Sequence, residues 1–171
     1  MALPILKYPN PILAQKAAEI EKVTPEIRKL AHEMAETMYE NRGIGLAAPQ
    51  VGQCCRLIAV DVSGPEERNE LMFLVNPVIV SREGEMEDEE GCLSVVQFRA
   101  KVKRSEKVVV KARDLDGNEV EVPAEGLLAV CLQHEIDHLD GVLFIDRISR
   151  LKRALYEGKV KKWMKSKKPD A

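Results

Sequence analysis

No run of apolar residues in the chain approaches the roughly 18 to 20 needed to cross a bilayer, which excludes a helical membrane span. Its first residues, MALPILKYPNPIL, lack the basic, apolar and small-residue order of a signal peptide, so a cytoplasmic location is expected. The four cysteines, Cys54, Cys55, Cys92 and Cys131, lack the spacing of a disulfide framework. A chain of 171 residues does not need such staples, and the thiols read as reduced, with room for one metal ligand among them. Internal repeats, low-complexity tracts and linkers are missing too, so one domain over residues 1–171 is expected. Histidine is scarce, with three in the whole chain.

What is present is a globular balance of 45% apolar and 32% charged residues with both signs mixed, unlike a disordered chain. A domain of this length buries roughly 70% of the surface its unfolded chain exposes. The net charge of −2 conceals an asymmetry: residues 150–168 (RLKRALYEGKVKKWMKSKK) hold nine basic residues and one acidic residue, leaving −10 on the rest. That basic C-terminal helix points to an anionic partner, with a solvated terminal helix as the plainer alternative.

Residues 24–40 read as an amphipathic helix, capped by Thr24, opened by Pro25 and stopped by Gly43. GIGLAAPQVG (43–52) reads as a loop and CRLIAVDV (55–62) as a buried strand. Residues 63–70 are expected to be a polar connection, 71–80 a strand pair broken at Asn76-Pro77, and 82–90 an acidic loop. The alternation in KVVVKARDLDGNEVEVP predicts two strands joined around Asp116-Gly117. Pro123 is expected to start a helix through AEGLLAVCLQHEIDHLDG, ended by Gly141, and a last helix covers about 149–165. The fold expected is α+β: antiparallel sheets packed around a central helix, with a C-terminal helix.

HEIDH at 134–138 matches H-E-x-x-H, in which one helical turn brings two imidazoles to one face so that both can hold one ion, with Glu135 beside them. The spacing alone is equally compatible with two structural histidines. His134 lies on the apolar stripe formed with Leu127, Val130 and Cys131, where unpartnered imidazoles are costly. A catalytic site of this kind needs a third protein ligand. The extended motif with a third histidine is excluded, because Phe144 stands at that position. His32, beside Glu33 and Glu36, is a poor alternative; Cys92, after Gly91 in a presumed loop, is the better one. Cys131 reads as apolar wall, and Cys54 and Cys55 as core or strand edge. Gln50 and the backbone N–H of Leu93 could both aim at an oxyanion, although Gln50 by itself reads more simply as a loop-stabilising amide.

GIGLAAPQ (43–50), EGCLS (90–94) and QHEIDHLDG (133–141), with the KYPNP entry at 7–11 and the stretch RSEKVVVKARDLDG, together resemble the bacterial peptide deformylases over nearly the whole chain. The resemblance implies a metal-dependent hydrolase that removes the formyl group from the initiator methionine of nascent polypeptides and releases formate. It places the metal ligands on Cys92, His134 and His138, the catalytic carboxylate on Glu135, and the oxyanion donors on Gln50 and Leu93, which displaces the plainer reading of Gln50. It implies one divalent ion, Fe2+ in the cell, with Zn2+, Ni2+ or Co2+ as substitutes in a purified sample. It also implies a ribosome contact, to rRNA, through the basic C-terminal helix; neither membrane nor DNA is an expected partner.

The substrate cleft is expected to use Gly43, Ile44 and Gly45 for the peptide backbone, Ile44, Leu127, Val130 and Cys131 for the methionine side chain, and Arg99 at the rim. The chain departs from the family pattern at Val96, where proline is frequent, and at Asp88, where an apolar residue is frequent. The rivals left by the residues alone are a small metallopeptidase and a non-catalytic module with a structural metal and an RNA-binding tail.

Overall fold

The computed structural model describes residues 2–166. Its main sheet is antiparallel and joins β1 (Gly45–Ala47), β2 (Leu57–Val60), β3 (Met72–Glu83), β6 (Lys107–Arg113) and β7 (Glu119–Glu125) in that order. A separate two-stranded sheet pairs β4 (Met86–Cys92) with β5 (Val95–Arg104). The helices are α1 (Pro25–Glu40), the short α2 (Gly64–Glu67), α3 (Gly126–Leu139) and α4 (Arg150–Ser166). None is long and apolar enough to cross a membrane.

All four residues of β2 are buried because the strand is covered on both faces. Ile58 and Val60 pack with Leu132, Ile136 and Leu139 of α3, while Leu57 and Ala59 pack with Met34 and Met38 of α1. Period-two alternation thus divides one strand between two cores. A third core joins Val95 and Val102 of β5, Phe144, and Tyr156 and Val160 of α4. The central helix α3 packs on the main sheet, and its His134 and Asp137 bond Glu90 and Arg104 of the small one.

Helix α1 begins as expected, with Thr24 Oγ1 accepting the Ile27 N–H at 3.2 Å. It stops earlier than Gly43: Arg42 supplies the left-handed residue, φ 58°, and the Gly43 N–H returns to the Met38 carbonyl. The hairpin around Asp116-Gly117 forms as predicted between β6 and β7.

Five expectations are corrected. Residues 43–52 are not all loop, since Gly45–Ala47 forms β1 and Ala48–Val51 a 3-10 turn. Residues 82–90 are not a loop but the end of β3 and most of β4; the acidic strand is stabilised by its basic neighbour, with Glu87 opposite Lys103 and Glu89 opposite Lys101. Cys92 accordingly ends a strand. Residues 71–80 are one strand, not a broken pair: a bulge at Asn76, φ 51°, turns its side chain out of the ladder to bond both the N–H and the carbonyl of Ile20. Pro123 does not start a helix; it sits in β7, an edge strand that tolerates its missing N–H, and α3 starts three residues later at Gly126. The polar connection at 63–70 contains the short α2. Residues 167 and 168 of the basic tail lie outside the described residues.

Candidate metal centre

Helix α3 carries His134, Glu135 and His138 inward between the two sheets, and β4 delivers Cys92 from the opposite side. His134, Glu135 and His138 are all buried, and Cys92 is half-buried. One ligand atom from each of Cys92, His134 and His138 lies within 4.8 Å of the others. Cys92 Sγ is 3.4 Å from His138 Nε2. Sulfur and nitrogen ligands at about 2.3 and 2.0 Å in tetrahedral array would be about 3.5 Å apart, so the observed edge fits a shared ion. No other group of three such donors occurs among the described residues. His32 is exposed on α1, edge-on to Phe73, and plays no part.

The first imidazole is aimed by residues that reading the sequence did not single out. Glu90 Oε1 meets His134 Nδ1 at 2.9 Å, leaving Nε2 for a ligand role. Arg104 donates to both oxygens of Glu90, at 2.8 and 2.9 Å, and to Asp137 at 2.6 Å. Asp137 in turn takes two bonds from Arg147, at 2.6 and 2.8 Å. Burial pushes the Glu90 carboxyl upward, but the bonds from Arg104 and His134 outweigh it and bring the pKa to about 2. Glu90 is thus a carboxylate, which requires the His134 Nδ1 to carry the proton. Glu90 opens the EGCLS motif, but from sequence it has no assigned role and falls at the end of an expected acidic loop. His138 has no such aid; its Nδ1 is buried without a hydrogen-bond partner.

Glu135 faces a cavity of about 660 Å³. Its Oε1 is buried and bare, and burial raises its pKa to about 7 against the opposing charge of His134. A carboxyl so placed can change protonation state at neutral pH without leaving its position. One wall of the cavity is the chain from Gly43 through Ile44 and Gly45 to Gln50; another is Leu127, Val130 and Cys131 of α3; the third runs from Glu90 past Cys92 and Leu93 to Arg99. Every expected site residue borders this space except His138, which lies behind it.

Gln50 braces its turn and also reaches the donor group. Its Oε1 accepts the Ala47 N–H at 3.0 Å and so braces the turn, while its Nε2 donates to Ser94 Oγ at 3.0 Å and lies 3.7 Å from Cys92 Sγ. Leu93 lines the cavity, and its carbonyl accepts the Lys7 ammonium at 2.7 Å. Val130 and Cys131 are buried wall, whereas Leu127 is 53% exposed and belongs to the rim. The Cys131 thiol points to the Ile44 carbonyl, 3.6 Å away, and burial pushes its pKa up, so it is apolar wall as expected. Arg99 bonds Glu89 at 2.8 Å and lies across Gly91, where a Cβ would fall 2.7 Å from its Nη1. Asp88 borders the cavity; Val96 instead offers its carbonyl to the Tyr156 hydroxyl.

Known proteins resemble this chain over nearly all of its length. A family model described as polypeptide deformylase matches residues 2–154. A peptide deformylase of Thermodesulfovibrio yellowstonii is 53% identical over 159 residues, 93% of this chain and 96% of that protein. One from Acidobacterium capsulatum is 50% identical over 97% of this chain and 98% of its own. Among solved structures, a peptide deformylase from Legionella pneumophila superposes with a TM-score of 0.91 at 44% identity, covering 99% of this chain and 100% of that one. A peptide deformylase from Ehrlichia chaffeensis in complex with actinonin does so with a TM-score of 0.88 at 40% identity, covering 94% and 96%.

Proposed function

The chain belongs to the polypeptide deformylase family, metal-dependent hydrolases that deformylate nascent polypeptides in protein biosynthesis, and from that premise we propose how its own residues carry out the reaction. The observation that carries the assignment is a three-donor group opening onto a cavity beside a buried carboxylate. Three protein ligands with an open side mark a catalytic site; a structural one is closed by a fourth.

Cys92, His134 and His138 would hold one divalent ion, which when bound would supply Lewis-acid polarisation of the formyl oxygen and make water acidic enough to react near neutral pH. Glu135 takes the proton of the attacking water at its carboxylate and returns it to the amine nitrogen as the C–N bond breaks, releasing formate. Gln50 Nε2 and the Leu93 N–H donate to the developing oxyanion. The peptide lies extended along Gly43 to Gly45, which leads into the edge strand β1, paired on one side only with β2. The methionine side chain of the initiator residue enters between Ile44, Val130 and Cys131, with Leu127 and Arg99 at the mouth.

Gln50→Ala is expected to lower kcat about 10²- to 10³-fold with little change in KM, since removal of one oxyanion donor typically costs about 3 to 4 kcal/mol of barrier. Steady-state rates on a formyl-Met tripeptide test this; an unchanged kcat would leave Gln50 only its role in the turn. Gly45→Ala tests the tightness of the cleft. A Cβ there would sit 2.5 Å from Glu135 Oε2 and 2.8 Å from Cys131 Sγ, so the Glu135 carboxylate would have to shift into the cavity. Its expected result is a loss of at least about 100-fold in kcat/KM through displacement of Glu135, since a misplacement of about 1 Å can cost that much. Wild-type turnover by this variant would mean that Glu135 need not occupy its present position.

Thiolate with two imidazoles accommodates iron, zinc, nickel or cobalt. The proposal for the cell is Fe2+, resting on the family resemblance, with oxidation at the iron or Cys92 as the route to inactivation. Metal analysis and activity after anaerobic purification test it. The site of action is proposed to be the cytoplasm, at the ribosome, with the basic helix α4 docked on rRNA through counterion release. Deletion of Arg150 to Ala171 is expected to abolish salt-sensitive co-sedimentation with ribosomes; co-sedimentation of the truncated protein would refute that contact. The metallopeptidase rival predicts hydrolysis of casein and indifference to the formyl group.

A further inference from the structure

A second hollow, of about 500 Å³, lies between α4 and the small sheet. Its floor is Phe98, Leu155 and Tyr156, and its rim is Lys152, Lys159 and Lys162, with no acidic residue lining it. Leu155 is 62% exposed although its neighbour Tyr156 is buried, so the helix presents an uncovered apolar residue among three cations. Phe98 lines both this hollow and the catalytic cavity. Its ring stacks on Tyr156 with centroids 4.7 Å apart and on Phe144 at 6.0 Å, which makes it a fixed divide shared by the two spaces.

We propose that the hollow is a distal substrate subsite, which receives the residues of the nascent polypeptide downstream of those in the cleft and favours apolar and acidic side chains there. The occupant is the substrate itself, because the hollow adjoins the cleft, with Phe98 bordering both, and its charge is of one sign. Lys159 and Lys162 face it together with Leu155, three and four residues apart on one side of the helix. The inference rests on the deformylase reading and adds to it a preference beyond the formyl-methionyl end.

The test compares a formyl-Met tripeptide with two nine-residue formyl-Met peptides that differ only in having leucine and glutamate, or leucine and lysine, in the distal half. Formate release by the metal-loaded full chain is read at low salt. The glutamate peptide is expected to show kcat/KM about 3- to 10-fold above the lysine peptide, through KM, the size expected of a few exposed charge pairs. The difference should vanish at about 0.5 M salt, where screening is short-ranged. K159E/K162E is expected to abolish or invert the preference and leave the tripeptide unchanged, while K16E/K29E, the same charge change on exposed residues elsewhere, should keep it. Equal rates for the two long peptides, or a preference that survives K159E/K162E, would overturn the subsite while leaving deformylation intact. Failure to release formate even from the tripeptide would overturn both readings.

Discussion

Glu135→Gln is expected to lose about 10⁴-fold in kcat/KM on a formyl-Met peptide while retaining its metal and its fold, the upper end of what a positioned acid–base group contributes. The amide matches the carboxylate in size and fills the same buried place beside Gly45, so packing changes little. It cannot accept the proton of the attacking water or deliver one to the leaving amine, so both halves of the reaction suffer. The effect is expected in kcat, with substrate affinity preserved, because Glu135 is asked to act in the transition state and not to hold the peptide. Elemental analysis and circular dichroism of the same sample separate this outcome from loss of metal or unfolding. Near wild-type turnover with metal bound would remove Glu135 from the chemistry.

Cys92→Ser is expected to lose the metal itself. A serine hydroxyl stays protonated at neutral pH and is a poor ligand for the late first-row ions that thiolate and imidazole favour. Losing an outer partner of a ligand already costs roughly 10- to 100-fold in affinity, and removing a ligand should exceed that. The purified variant should therefore contain well under one ion per chain and show activity at least about 10³-fold below wild type, restored in part by excess metal. Because Cys92 is half-buried at the end of β4 and His134 stays bonded to Glu90, the fold should survive without the ion. A full complement of metal in Cys92→Ser would mean that the third ligand is elsewhere.

Legibility of the molecule from its sequence followed the range of the interactions involved. Local signals served well: the Thr24-Pro25 start of α1, the Asp116-Gly117 hairpin and the one-turn spacing of His134 and His138 all depend on neighbours within a few residues. Gln50 and Cys92 are 42 residues apart and touch only because two sheets converge, so the family resemblance, not spacing, joined them. The misread stretch at 82–90 has the same cause. Its acids look like loop until the lysines of β5, more than ten residues later, are placed opposite them. Glu90, Arg104 and Asp137 lie within the quoted motifs, but their link to one another and to Arg147 behind His134 is long-range and so has no local signature. Pro123 misled because proline opens helices and is equally at home in an edge strand, a choice made by the position of β7 in the sheet and by nothing near it in sequence.

The central claim, that an ion held by Cys92, His134 and His138 works with Glu135 to cleave a formamide, is tested most directly by following formate and free amine together. The chain purified without oxygen and loaded with one Fe2+ should convert a formyl-Met tripeptide into one formate and one free methionyl peptide per turnover, leave the acetylated analogue far slower, and stop when the metal is chelated. An intact formyl peptide in the presence of bound metal, or cleavage at an internal peptide bond without formate, would contradict it.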